Sequence, residues 1–517
     1  MNLKETVIGI ELGSTRIKAI LLDKHHEVLA QGDYTWENSL IDGIWTYSLQ
    51  EVEDGLQNCF RDLKDNVKRK YNVNLNTTGA IGISGMMHGY LPFDKNDKQL
   101  AQFRTWRNTI TEEAASKLSD LFDFNIPQRW SIAHLYQAIL NNEKHLEDLS
   151  YITTLAGYVH YVLSGERVMG IGEASGMFPI NSDTLNYDET MLNKFKDLTG
   201  LDLLTILPKI KLAGENAGYL SEKGSLYLDP SGQLEVGIPL VPCEGDAGTG
   251  MVATNSIKNK TGNVSAGTSD FAMIVTDKKL NRHREIDMVT TPVGLPVAMV
   301  HCNNCTSDIN AWVKIINESL QLFGMHLDTN TLYTKLFNVA LEGDNDCGDL
   351  LSYNYYSGEG VTDLDEGRLL FIRKADSNFN LANFMKTNLY SALATLKIGM
   401  DILKKENVDI DKIYGHGGYF KTPIVGQRIL SAAINAPVSV METAGEGGPY
   451  GMALLCAYSL WKDNNESLED YLNNKVFNEA NTSTIMASED EVNSFNKFVS
   501  DYLKCLPIEK QAIELFK

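Results

Sequence analysis

Two segments of this chain place a glycine and hydroxyl side chains between apolar runs. Residues 8–23 read IGIELGSTRIKAILLD and residues 262–276 read GNVSAGTSDFAMIVT. Each is an apolar strand, a small polar turn and a second apolar strand. The turns are Gly13-Ser14-Thr15, with Lys18 nearby, and Gly267-Thr268-Ser269. Exposed amides and hydroxyls in such a turn can hold phosphate oxygens. Either turn alone is common on protein surfaces. The pair suggests two related lobes offering their turns to one polyphosphate; the bland alternative is an old duplication whose turns only turn. No GxxxxGK[ST] run is present, so the chain is not a P-loop enzyme.

The acidic residues supply the other half of such a chemistry. Asp246 lies between Gly245 and a Gly/Ala-rich helix start. An alcohol attacking phosphorus needs a carboxylate to accept its proton, and the rest of phosphoryl transfer is positioning and charge neutralisation. Position alone equally suits a helix cap. Glu11 interrupts an apolar strand just before the first turn. A carboxylate there is costly unless it meets a partner, water or a metal, and Mg2+ holding its own waters would suit it. His88, at the end of a short apolar strand, could donate to a sugar hydroxyl or be a satisfied strand-end histidine. Trp106-Arg107-Asn108 and Glu173-Ala174-Ser175 are polar stretches of the kind that line sugar pockets. Gly417-Gly418 and Gly447-Gly448 allow close approach of a flat ring or a ribose, or simply tight helix packing.

These residues need an α/β frame. Apolar runs at 7–10, 17–22 and from 28 predict an antiparallel meander, and 80–84 predicts a buried strand ending at Met87-His88-Gly89. Helices are expected over 47–68, over much of 110–160, over 381–404 with one buried stripe, and from 423 to 435 with Pro423 in the first turn. The tail reads as helix, acidic loop at 488–491, helix. A lobe boundary is expected near 242–245.

Bulk composition narrows the function classes. With 43% hydrophobic and 22% charged residues, 517 residues can bury a large core over several domains. The net charge of -21 argues against nucleic acid and anionic membrane as partners. It does not exclude ATP, because a patch of backbone amides binds phosphate in an acidic protein. Seven scattered cysteines suit reduced thiols in a cytosol, and the Cys302/Cys305 spacing has no second pair to complete a zinc site. The start of the chain does not read as a signal peptide, and no apolar run is long enough to span a membrane. The expectation is therefore a cytoplasmic protein.

In their order along the chain, these segments closely resemble the FGGY family of carbohydrate kinases over about residues 6–460. The matching motifs are Gly9-Ile10-Glu11-Leu12-Gly13-Ser14-Thr15, Gly245-Asp246, Gly267-Thr268-Ser269, the Gly-Gly segment from Gly417, and GEGGPYGMALLCA from Gly445. The resemblance implies an α/β fold of two actin-like ATPase (ribonuclease H-like) lobes around a central nucleotide cleft. It implies a sugar-binding N-terminal lobe at 1–244, an ATP-binding lobe at 245–460, and a helical extension at 461–517. The implied cofactors are ATP and Mg2+. Asp246 becomes the base. Met87, His88, Trp106, Asn108 and Glu173 join it around the sugar. Gly13, Ser14, Thr15, Lys18, Gly267, Thr268, Ser269, Gly417, Gly418, Glu446 and Gly447 face the nucleotide, and Glu11 faces the metal.

The Met87-His88-Gly89 segment looks most like the xylulokinase branch, so the implied reaction is phosphorylation of the terminal hydroxyl of a ketopentose. Departures from that branch are Glu11 for Asp, Trp106-Arg107-Asn108-Thr109-Ile110 for Trp-Asn-Asp-x-Arg, Gly172-Glu173-Ala174-Ser175 for Thr-Asp-Ala-Ser, and the Asn303–Asp308 and Gly358–Gly360 segments. L-fuculose, L-rhamnulose, gluconate, erythritol and glycerol stay open as substrates, and a non-catalytic actin-like sensor is the alternative of another class. A homodimer is the assembly the resemblance implies.

Overall fold

In a computed structural model of the chain, residues 2–441, 447–478 and 482–517 are described. They form two compact units.

The first unit comprises residues 1–257, 281–297 and 446–479. Its sheet is built from β1 (Thr6–Leu12), β2 (Arg16–Asp23), β3 (Val28–Thr35), β4 (Ala80–Gly85) and β5 (Glu244–Gly245), in the order β5-β4-β1-β2-β3. The meander β1–β3 is antiparallel, whereas β4 runs parallel to β1 and β5 parallel to β4. Strands covered on both faces read as continuous apolar runs, and every residue of β1 is buried except the half-buried Glu11. The helix Leu49–Tyr71 starts at a capping box of Ser48 and Glu51 and packs its buried face, Val52, Leu56, Phe60 and Leu63, on β3 and β2.

Two further helices, Asp246–Ala253 and Gly447–Trp461, pack on each other, and the latter also lies on β1 and β4. This is why the first unit runs past the boundary expected near 244 and also takes in 447–461: these helices cover a face of its sheet. Of the expected extension, 461–479 belongs to the first unit and 480–517 to the second.

The second unit comprises residues 258–280, 298–445 and 480–517. Its strands are β6 (Thr261–Ala266), β7 (Asp270–Val275), β8 (Pro296–Cys302), β9 (Lys412–His416), β10 (Val438–Met441) and β11 (Thr482–Ile485), ordered β8-β7-β6-β9-β10-β11. The hairpin β6–β7 is antiparallel, and β9 and β10 follow parallel to β6. The first unit's plan therefore recurs: a hairpin at the centre, a strand beyond its second arm, two parallel strands beyond its first.

Three local expectations change. The stretch 381–404 is two helices, Leu381–Ala392 and Ala394–Lys405, because Leu393 leaves helical geometry at φ -110 and ψ 3. Its Lys386 and Lys397 are buried, with Lys386 Nζ on the Gly343 carbonyl at 3.1 Å and Lys397 paired to Asp401. The helix after Pro423 begins at Val425, beyond the left-handed Ile424 (φ 76), so the proline precedes the helix. The acidic run at 489–491 is the first turn of the helix Glu489–Leu515, where negative charge offsets the helix dipole and Ser488 with Glu491 forms a capping box. Among the described residues no helix is long and apolar enough to cross a membrane.

Gly9, in the middle of β1, is where the helix Gly447–Trp461 touches the sheet. A Cβ there would lie 2.2 Å from the Pro449 carbonyl oxygen and 2.4 Å from the Ala453 amide nitrogen. Both obstacles are backbone, so the helix must move. Gly9→Val is expected to destabilise the protein by about 3 kcal/mol, read as a lower midpoint in urea unfolding; an unchanged midpoint would contradict this packing.

Candidate active site

The turn Gly13–Thr15 closes β1 onto β2, with the Gly13 amide donating to the Arg16 carbonyl at 2.9 Å. Its carbonyls are held from behind. Trp36 Nε1 donates to the Gly13 oxygen at 2.7 Å, Tyr47 Oη to the Ser14 oxygen at 2.6 Å, and the Trp36 amide to the Thr15 oxygen at 3.1 Å. Trp36 and Tyr47 are buried and stack at 4.2 Å. The Ser14 and Thr15 amides have no partner among the described residues. The result is a turn of amides and hydroxyls with its acceptors turned away, a ready anion cradle. Trp106, expected beside the sugar, instead donates from Nε1 to Ser14 Oγ at 3.1 Å.

Turn Gly267–Ser269 of the second unit repeats the device with different anchors. The Cys305 amide donates to the Thr268 oxygen at 2.9 Å, and the Thr306 amide and hydroxyl donate to the Gly267 oxygen at 2.9 and 2.6 Å. The Thr268 and Ser269 amides likewise have no partner among the described residues. Gly417, at the end of β9, packs beside this turn in the left-handed region (φ 98), where a Cβ would meet the Ala266 carbonyl at 2.5 Å. Gly418 next to it has open space where a Cβ would stand.

The first unit gathers four acids. Glu11 lies across the β1–β2 ladder from Lys18. Its Oε1 sits over the start of the helix Gly447–Trp461, where a Cβ on Gly448 would be 2.2 Å away. Gly447 opens that helix at φ 71; Glu446 lies outside the described residues. Burial pushes the Glu11 carboxyl up to about 7, with the Asp246 charge adding and Lys18 opposing. Asp246 is the first residue of its helix; the cap is Gly245, so Asp246 is not the capping residue. Its Oδ1 accepts from the Met87 amide at 3.3 Å, and burial raises its carboxyl to about 6 against that hydrogen bond. A carboxylate poised near neutrality at a helix N-terminus is suited to accept a proton.

Behind Asp246 lie Glu244 and Glu173, both buried. Glu244 accepts from the Gly172 and Glu173 amides at 3.3 and 2.9 Å, in a slot where a Cβ on Gly170 or Gly172 would collide with it at 2.2 or 2.4 Å. Glu173 Oε2 abuts Gly245, where a Cβ would stand 2.5 Å away. Burial, reinforced by the charges of Asp246 and Glu244, holds the Glu173 carboxyl well above the usual range. His88 takes a left-handed conformation (φ 71), and its Nδ1 meets the Gly176 carbonyl at 3.1 Å while the ring stacks on Trp130 at 6.1 Å. Met87, His88, Glu173 and Asp246 thus lie together. Asn108 does not join them: its side chain is bound to the Trp45 backbone and to Thr105.

Sequence reasoning missed Trp36, Tyr47, Cys305 and Thr306 as anchors of the turns, and Glu244 as the support of Glu173. No local spacing marks them, since each acts on a residue far away in the chain.

A pair of hairpin-centred sheets, each with an anion-ready turn, and an acid poised at a helix start define an actin-like phosphotransferase. The chain matches the FGGY family of carbohydrate kinases, N-terminal domain, over residues 6–253 and the C-terminal domain of that family over residues 262–460. It belongs to that family and is a carbohydrate kinase. It is 22% identical over 500 residues to the xylulose kinase of Haemophilus influenzae, covering 89% of this chain and 94% of that protein. It is 24% identical over 347 residues to the glycerol kinase of Thermococcus gammatolerans, covering 64% and 66%. The fold is shared with the crystal structure of gluconate kinase from Lactobacillus acidophilus, at a TM-score of 0.79 and 16% identity over 96% of this chain and 97% of that one.

Burial lifts the Glu244 carboxyl to about 8, partly offset by the amides of Gly172 and Glu173. An unfolded glutamate titrates near about 4.3. Between those values only the unfolded chain gives up this proton, so rising pH favours unfolding until the folded group also ionises. Glu244→Gln cannot ionise. Its stability relative to wild type is expected to rise between about pH 5 and about pH 8, measured by urea unfolding; a constant difference across that range would overturn the assignment.

Proposed function

We propose that the protein transfers the γ-phosphoryl group of ATP to the terminal hydroxyl of a ketopentose of the xylulose or ribulose type, with Asp246 as general base. The observation that carries this reading is Asp246 itself: half-buried, raised to about 6, held by the Met87 amide and adjoining the segment that carries His88. The hydroxyl oxygen forms the new bond to phosphorus, the bond from phosphorus to the β–γ bridging oxygen breaks, ADP leaves, and the hydroxyl proton passes to Asp246. Met87, His88 and Glu173 orient the sugar. The amides of Ser14, Thr15, Thr268 and Ser269 hold phosphate oxygens, and Gly417 and Gly418 admit the nucleoside.

Mg2+, which the family's chemistry implies, fits Glu11. Its carboxyl is raised by burial first and then by the charge of Asp246, and it is cradled over Gly448, so a divalent cation would offset both effects. When bound, the cation supplies neutralisation of phosphate charge.

A coupled ADP-release assay with Mg-ATP tests the reading, with D-xylulose, L-xylulose, D-ribulose, L-ribulose, L-fuculose, L-rhamnulose, gluconate, erythritol and glycerol as acceptors. A ketopentose is expected to give the highest kcat/KM; a hexulose, a polyol or gluconate in that place would overturn the substrate class. Asp246→Asn is expected to lose at least about 1,000-fold in kcat, as removal of a proton acceptor does, while calorimetry shows ADP binding retained. Turnover at the normal rate would remove Asp246 as the base.

A further inference from the structure

The segments 303–308 and 358–360, which depart from the xylulokinase pattern, take no part in the chemistry above. In the second unit they form one hydrogen-bonded assembly. Glu359 Oε2 accepts from the Asn303 amide at 2.9 Å and from Asn304 Nδ2 at 3.2 Å. Asn303 Nδ2 donates to the Gly358 carbonyl at 2.8 Å. Asn304 Oδ1 accepts from the amides of Tyr356 and Ser357 at 2.9 and 3.1 Å. Tyr356, Ser357 and Gly360 are exposed, yet Glu359 is wholly buried. An exposed loop thus inserts one acid into the interior, where a carboxylate is costly unless hydrogen-bonded.

The residues it grips lead straight to the second turn. Cys305 and Thr306, immediately after Asn304, hold the Thr268 and Gly267 carbonyls, and Asn354 Nδ2 holds the Cys305 carbonyl at 2.9 Å. Asp270, the first residue after the turn, is also wholly buried, with the Cys302 thiol and the Glu359 carboxyl as neighbours. Glu359 Oε1 has no hydrogen-bond partner among the described residues. Burial holds both carboxyls above the usual range, Glu359 at about 7, and the Glu359 charge pushes Asp270 up further.

We infer that Glu359 is a positioning residue for nucleotide binding: through Asn303 and Asn304 it fixes the Cys305–Thr306 anchors, and with them the Thr268 and Ser269 amides. This role rests on the reading of 267–269 as a nucleotide turn.

Calorimetric titration of Mg-ADP, needing no sugar and no turnover, tests it alongside steady-state kinetics. Glu359→Gln keeps an acceptor for Asn303 and Asn304, so it should bind ADP as wild type does. Glu359→Ala should weaken ADP binding by about 10-fold, the loss of a buried hydrogen-bonding anchor, and raise KM for ATP with KM for the sugar unchanged. Asn304→Asp, nearly isosteric and placing a second charge against Glu359, should do the same and serves if the alanine variant does not fold. Wild-type ADP affinity in both Glu359→Ala and Asn304→Asp, an equal rise in KM for the sugar, or failure of Glu359→Gln to match wild type would overturn the role. Absence of ADP binding by the wild type would instead overturn the turn's assignment, and this role with it.

Discussion

A tight turn can present its amides to an anion only if its carbonyls are satisfied elsewhere, because each peptide carries a donor and an acceptor. Both turns of this kinase meet that condition. In the first unit the acceptors of Gly13, Ser14 and Thr15 are taken by Trp36 and Tyr47. In the second unit those of Gly267 and Thr268 are taken by Cys305 and Thr306. The two anchor sets share backbone amides but differ in their side chains: aromatic donors stacked beneath one hairpin, a threonine hydroxyl in a loop before a helix behind the other. The sheet plan recurs between the units, whereas the means of orienting the turns does not.

The same physical economy governs the acids. Glu11, Asp246, Glu244 and Glu173 are tolerated in a largely apolar unit because each meets amides, a cation across the strand ladder, or a proton. Glu244 shows how closely the backbone is fitted around such a group: Gly170 and Gly172 leave the room its carboxylate fills, and their neighbours supply the amides it accepts from. Desolvation then sorts the group by function. Asp246, half-buried and braced by one amide, is held near neutrality, where a base is most useful. Glu173, wholly enclosed behind Gly245, has its carboxyl held well above the usual range by burial, with Asp246 and Glu244 adding.

Substrate choice is a finer matter than the fold. Relatives named for xylulose, glycerol and gluconate share this architecture at low identity, so the frame fixes phosphoryl transfer and leaves the acceptor to a few side chains. Asn108 is spent on the Trp45 backbone and Trp106 on Ser14. The groups left beside Asp246 are Met87, His88 and Glu173.

Local patterns in the sequence were enough for the strands, the turns and the acid at the helix start. Alternation, apolar runs and Gly-Ser or Gly-Thr signals act over a few residues, and β1–β4 and β6–β7 lie where those signals put them. Two local signals read otherwise in the structure: the stripe over 381–404 is continuous in sequence yet breaks at Leu393, and the acids at 489–491 are a helix start because Ser488 and Glu491, three residues apart, form a capping box. The sequence determined that there would be two phosphate-type turns and one candidate base. Only the tertiary structure decided which way the turns face and which carboxyls burial raises. Both depend on hydrogen bonds and burial supplied by residues tens to more than a hundred positions away, as with Tyr47 on Ser14 or Glu244 on Glu173, and no local spacing encodes a contact at that separation.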